Sequence, residues 1–127
     1  MSNRAVISTP GAPEAIGPYS QAIKVGNTVW LSGQIPLVPG TMELVTGDIR
    51  DQATQVFRNL AAVARAAGGS LDQAVKINIS LTNLEYFGAV NEVMASFLSE
   101  PYPARACVQV AALPKGVDIE VEAILVI

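Results

Sequence analysis

The sequence predicts an α+β fold in which one mixed β-sheet carries two helices on its apolar face. Three observations predict it. Two segments repeat hydrophobic residues at helical spacing, the remaining segments alternate apolar and polar residues with period two, and one helix lies between two of those strands, the connection a parallel pair requires. With 127 residues the chain has room for one core, so a single domain over residues 1–127 is expected.

The elements follow in order. Ala5 to Ser8 can form a short edge strand. Ile23 and Val25 lead into Gly26-Asn27, after which Val29 and Leu31 resume, so a tight hairpin is predicted there. From Asp48, the residues Ile49, Ala53, Val56, Phe57, Leu60, Ala64 and Ala67 recur at helical spacing until Gly68-Gly69 stops the helix. In the next strand Val75, Ile77, Ile79 and Leu81 are expected inward, with Lys76, Asn78 and Ser80 opposite. The second helix starts at Thr82, which with Glu85 fits a capping box, or at an alternative cap, Asn83. It carries Leu84, Phe87, Val90, Met94, Phe97 and Leu98 on one face and ends before Pro101. Ala104, Ala106, Val108 and Val110 then alternate with Arg105, Cys107 and Gln109, and Ile119, Val121, Ala123 and Leu125 alternate with Asp118, Glu120 and Glu122.

Composition narrows the function classes. Charged residues make up 15% of the chain and hydrophobic ones 50%, against roughly 25% charged in ordinary soluble domains. No apolar run reaches the ~18 residues of a membrane span, so the apolar excess reads as a subunit interface. The net charge of -3 offers no attraction to nucleic acid or anionic lipid. One cysteine, Cys107, and no histidine exclude an intrachain disulfide and leave a zinc site of the usual kind almost without ligands. MSNRAVIS has no long apolar core of a secretory signal, so a reducing, cytoplasmic setting is expected.

The sheet face away from the helices is expected to hold Lys76, Asn78, Ser80, Arg105, Cys107, Gln109, Asp118, Glu120 and Glu122. Ile124 and Val126 fall on that side too, so other subunits are expected to cover part of it, with cyclic symmetry the economical arrangement. Arg105 can grip a carboxylate or phosphate through two parallel N–H bonds, or it can pair with Glu120 or Glu122 as a structural bridge; spacing leaves both open. Glu120, on a partly covered strand, is a candidate general base or acid, or else the arginine's partner. Cys107 has no histidine to activate it and reads as an inert small thiol. The loop GAPEAIGPYSQ, residues 11–21, is too apolar for a linker and reads as a lid or wall, with Tyr19 a site residue or a packing aromatic. Asn91 is a capping or exposed amide on the second helix, Trp30 a packing or interface residue, and Pro114 to Gly116 a turn rather than a phosphate loop.

Taken together, IGPYSQAI (Ile16 to Ile23), LSGQIPL (Leu31 to Leu37), AVNEV (Ala89 to Val93) and PARACVQVAALPKGVDIEVEAI (Pro103 to Ile124) resemble the Rid family of reactive intermediate deaminases, close to its RidA/YjgF subgroup. The resemblance covers essentially the whole chain. It implies a single Rid-like domain with the fold of the Bacillus-type chorismate mutase: a mixed six-stranded sheet backed by two helices, assembled as a homotrimer with sites in clefts between subunits. The last strand would lie between the first hairpin and the Val75–Leu81 strand, so Arg105 and Glu120 would not be neighbours in a simple hairpin; a meeting across a subunit boundary and one within a subunit both stay open.

The implied chemistry is hydrolysis of 2-imino acids, chiefly 2-iminopropanoate and 2-iminobutanoate released by pyridoxal phosphate enzymes, to 2-keto acids and ammonia, without metal or cofactor. Arg105 would hold the substrate carboxylate and Glu120 would activate water. Tyr19, Ser32, Gly33, Asn91 and the backbone at Cys107 match the family's other contacts. Ala112 and Gly116 depart from residues common in relatives, at the rim. A non-catalytic carboxylate binder and a ribonuclease or chaperone-like protein are the competing classes, the acidic balance counting against RNA.

Overall fold

The computed structural model describes residues 3–127. Eight regular elements run in the order β1 (Ala5–Ile7), β2 (Ala22–Val25), β3 (Thr28–Gln34), α1 (Ile49–Ala66), β4 (Ala74–Leu81), α2 (Phe87–Phe97), β5 (Ala104–Gln109) and β6 (Ile119–Val126). The strands form one six-stranded sheet in the order β1-β2-β3-β6-β4-β5, with β4 and β5 parallel and every other pair antiparallel. The predicted fold class is the one observed, and β6 lies between β3 and β4 as the resemblance implied.

α1 forms where its pattern says it should. The Asp48 carboxylate accepts from the Arg50 backbone N–H at 2.8 Å, satisfying one donor of the first turn. At the other end Gly68 takes φ 92°, the Gly69 N–H reaches back to the Ala64 carbonyl at 3.1 Å, and Lys24 Nζ donates to the Ala67 carbonyl at 3.0 Å. The buried face of α1 supplies Val56, Phe57, Leu60 and Val63, which meet Ile77 and Ile79 of β4 and Ile119 and Leu125 of β6. Fully burying each such side chain contributes on the order of 1.5–3 kcal/mol. The two helices touch through Phe57 and Phe97, whose rings stack at 5.7 Å.

α2 begins later than the Thr82 capping box proposed. The Thr82 hydroxyl donates to Asp118 Oδ1 at 2.9 Å, and Asn83, the alternative cap, accepts from the Glu85 N–H at 2.9 Å to open a single 3-10 turn before Phe87. Leu84, expected on the buried stripe, sits in that turn and is exposed. Asp118 likewise leaves the open face. It binds Gln52 of α1 as well as Thr82, tying the start of β6 to the helix layer.

Two further expectations are corrected by register. The β4–β6 ladder shifts by one residue between Ala74 and Lys76, so Val75 becomes the extra residue of a bulge and is exposed, while Ala74 takes the inward position. On β5 the faces are inverted. Arg105, Cys107 and Gln109 are side by side with Ile77, Ile79 and Leu81, which are buried under the helices, so they share the helix face. Ala106 and Val108 instead share the open face with Asn78 and Ser80. The physical reason is that β5 is the sheet edge, where the helix layer ends and polar side chains stay wet on the side expected to be dry.

The open face therefore divides in two. One part is apolar: Val6, Ile23, Trp30 and Ile124 lie in one row across β1, β2, β3 and β6, with Val126 one row along. Val6, Trp30 and Val126 are exposed large hydrophobics. The other part carries Asn78, Ser80, Glu120 and Glu122. Among the described residues, no helix is long and apolar enough to cross a membrane.

Candidate active site: two half-sites on opposite faces of the sheet

Glu120 heads the first half-site. The β3–β6 register slips by one residue between Leu31 and Gln34, which makes a bulge of the Ser32-Gly33 stretch beside Glu120. Gly33 leaves the space that the carboxylate fills, since a β-carbon there would lie 2.9 Å from Glu120 Cδ and 3.0 Å from Cγ. Ser32 is pinned from both sides: its N–H donates to the Gln21 carbonyl at 3.0 Å and its hydroxyl to the Ser20 carbonyl at 2.5 Å. That hydroxyl still has lone pairs free to accept.

The loop that carries Tyr19 packs as a wall. Gln21, almost fully buried, accepts from the Thr9 N–H at 2.7 Å and donates to the carbonyls of Thr9 and Pro13 at 3.1 and 2.8 Å. Tyr19 itself is exposed and lines, with Ser32, Gly33 and Glu120, an open cavity of about 620 Å³. Lys115 stands at the same cavity in a left-handed conformation, φ 57°, within the Pro114–Gly116 turn.

Burial pushes the Glu120 carboxyl above the usual carboxylate range, and the neighbouring Glu122 charge adds to the rise. Glu122 is held in turn by Asn78, whose Nδ2 donates to Oε1 at 3.1 Å. A carboxyl so placed can exchange a proton with water or a bound nitrogen nearer neutral pH than an exposed glutamate can.

Arg105 heads the second half-site, at the β5 edge beside α2. One guanidinium nitrogen donates to Asn91 Oδ1 at 2.5 Å, and Cζ lies 4.8 Å from the centroid of the Phe87 ring. Among the described residues no carboxylate lies within ion-pair distance of it; the recorded bridge is Arg50 to Glu92, on α1 and α2. The guanidinium is exposed and borders two shallow depressions, one shared with Asn91, Met94 and Tyr102, the other with Phe87 and Cys107. Burial raises the Cys107 thiol, and the Arg105 charge opposes that rise only in part, so the thiolate is disfavoured. Among the described residues no three Asp, Glu, Cys or His side chains gather as a metal site would need.

The structure thus brings Tyr19, Ser32, Gly33 and Glu120 together, and separately Asn91, Arg105 and Cys107. It does not unite the two groups. Arg105 is on the helix face of β5, while Glu120 is on the open face of β6 with β4 between them. The structural bridge between Arg105 and Glu120 or Glu122 is therefore not formed. Asn91 proves to be the arginine's acceptor rather than a cap. Sequence reasoning missed Phe87 as the platform under Arg105, although its place four residues before Asn91 puts both on one side of α2. It also missed Glu122 as the charge acting on Glu120, although two residues apart on a strand means the same face.

The profile described as "Endoribonuclease L-PSP" matches residues 9–127. A protein of Dermatophagoides farinae named 2-iminobutanoate/2-iminopropanoate deaminase is 53% identical over 127 residues, covering 100% of this chain and 99% of its own length. Among solved structures, RidA from an Antarctic Psychrobacter superposes with TM-score 0.93 at 58% identity, covering 97% of this chain and 99% of that one. E. coli TdcF with bound serine superposes with TM-score 0.91 at 43% identity, covering 97% and 98%. With sequence, fold and site-bearing segments all aligned over nearly the entire chain, the protein belongs to the endoribonuclease L-PSP family, the Rid proteins.

Proposed function

We propose that the chain is a 2-iminobutanoate/2-iminopropanoate deaminase that works as a homotrimer, with Arg105 of one subunit and Glu120 of the next closing on the same substrate. The observation that carries the reading is the uncommitted Arg105 guanidinium: steadied by Asn91 and Phe87, exposed, and without a carboxylate partner among the described residues. Such a fork grips a small carboxylate through paired N–H bonds. The apolar row of Val6, Ile23, Trp30 and Ile124 supports an assembly through the open face, because covering it would carry the Glu120 cavity against a neighbour. The deaminase from D. farinae and the serine-bound TdcF support a substrate of amino-acid size.

In this reading the substrate carboxylate sits on Arg105 and its iminium carbon faces a water held by Glu120. The water oxygen bonds to that carbon while its proton passes to the Glu120 carboxylate, giving a carbinolamine. Glu120 returns the proton to the amino nitrogen. The C–N bond then breaks as the hydroxyl proton passes to the Glu120 carboxylate and the carbonyl forms; Glu120 hands that proton to the released ammonia, and ammonium and the 2-keto acid depart. An iminium carbon is already electrophilic, so orientation and one proton relay are sufficient.

A net charge of -3, with the three carboxylates of Glu14, Glu120 and Glu122 lining the cavity, disfavours RNA as the substrate despite the family's descriptive name. A cytoplasmic location accords with one unpaired cysteine. The test is a coupled assay of 2-keto acid release from freshly generated 2-iminobutanoate. Arg105→Ala should abolish acceleration while the oligomer persists, and unchanged turnover would reject the reading. Binding of 2-keto acids without any turnover by the wild type would identify a carboxylate-binding regulator instead.

A further inference from the structure

Besides its polar residues, the Glu120 cavity is lined by the apolar residues Ile16, Ile35, Leu37 and Met42. Its size, about 620 Å³ on one protomer, lies within the range of sites for ligands much larger than a four-carbon imino acid. Met42 also borders a second depression, with Thr9, Ala12 and Gly40. Glu14 and Gln21 border both spaces as well, and Met42 is the apolar member of the three.

The backbone that aims this side chain is fixed with unusual care. Met42 takes φ 60°, the left-handed region that a residue with a β-carbon rarely adopts. The Met42 N–H donates to the Val38 carbonyl and the Val38 N–H to the Glu43 carbonyl, each at 2.9 Å. The strap between β3 and α1 is then clamped from beneath. Asn59, fully buried, donates to the Leu37 carbonyl at 2.9 Å and accepts from Gln55 at the same distance. Buried Gln52 donates to the Gly47 carbonyl at 3.1 Å, and the Val45 N–H closes onto the Pro36 carbonyl at 2.8 Å. Buried amides on α1 are thereby spent on holding a loop that contributes only this wall to the cavity.

We propose that Met42 is the specificity-determining residue of this site, and that the wall it forms with Ile16 and Leu37 extends the substrate class beyond 2-iminopropanoate and 2-iminobutanoate to imino acids whose apolar side chains are longer than ethyl. The inference rests on the deaminase reading and names the substrate class for the same site. An unbranched thioether adapts its shape to several apolar partners, so the wall selects for length and apolarity more than for one outline. Truncating it widens the apolar part of the cavity and admits bulkier groups.

The experiment compares kcat/KM for imines released by an L-amino-acid oxidase from alanine, norvaline, leucine and phenylalanine, on the wild type, Met42→Gly and Met42→Asn. Both replacements accept φ 60° readily, so the strap keeps its path. The wild type should favour the norvaline- and leucine-derived imines over the alanine-derived one. Met42→Gly should raise the phenylalanine-to-alanine ratio about 10-fold, and Met42→Asn should lower the leucine-to-alanine ratio by about as much, the scale of one or two methylenes in an apolar pocket. Ratios within twofold of the wild type in both variants would overturn the assignment of Met42 alone. Absence of turnover by the wild type on every imine would remove it together with the deaminase reading.

Discussion

Glu120 lies so close over Gly33 that a single added methyl group would stand 2.9 Å from its carboxyl carbon. The contact explains why a glycine sits within the β3 bulge, even though its φ is not one that demands glycine. Gly33→Ala should fold, because the carboxylate is the far end of a flexible chain and can swing aside. That displacement moves the proposed proton relay from its place, and an ångström of misplacement costs about 10²-fold in rate. We expect kcat to fall by that order with KM little changed, measured in the coupled imine assay beside a thermal melt.

The opposed placement of Arg105 and Glu120 gives a test of subunit sharing. Inactive Arg105→Ala and inactive Glu120→Gln chains, co-expressed as mixed oligomers, should recover activity in roughly a quarter of their sites, those pairing an intact arginine with a neighbour's intact glutamate. No recovery in mixtures whose exchange is verified by mass spectrometry would show that each site is built from one chain.

The raised Glu120 carboxyl predicts a pH signature. In its proposed role as the base, Glu120 must be ionised, so activity should rise with pH along a limb lying above the ordinary glutamate value of about 4.3. Removing the adjacent charge by Glu122→Gln should move that limb to lower pH. The same shift acts on stability with a definite sign. Because the folded state holds this proton more tightly than the unfolded state, the wild type loses stability as pH climbs from the unfolded to the folded value. Glu120→Gln should therefore gain on the wild type above that window and match it below, in denaturant titrations at fixed protein concentration.

Much of this architecture is written locally and some is not. α1 is legible because Asp48, the apolar stripe and Gly68-Gly69 mark its start, face and stop within one segment. Glu120 is legible because β6 is a central strand, where alternation maps directly onto two faces. The same rule fails on β5, since at an edge the polar set of Arg105, Cys107 and Gln109 can lie on the helix side and remain wet. Bulges defeat it as well: one extra residue flips Val75 outward and makes a recess at Ser32-Gly33 that no periodicity announces. Arg105 stands out as a candidate anion anchor in sequence, but its partners Asn91 and Phe87 on α2 depend on which face of β5 it takes.

Back-to-back placement of Arg105 and Glu120 has a consequence for regulation by quantity. If neighbours supply each other's missing half, a newly made chain is silent until it finds its fellows, and dilution alone should quench turnover before any chain unfolds. Copy number would then serve as the switch, and one defective copy would spoil a neighbour's work as well as its own.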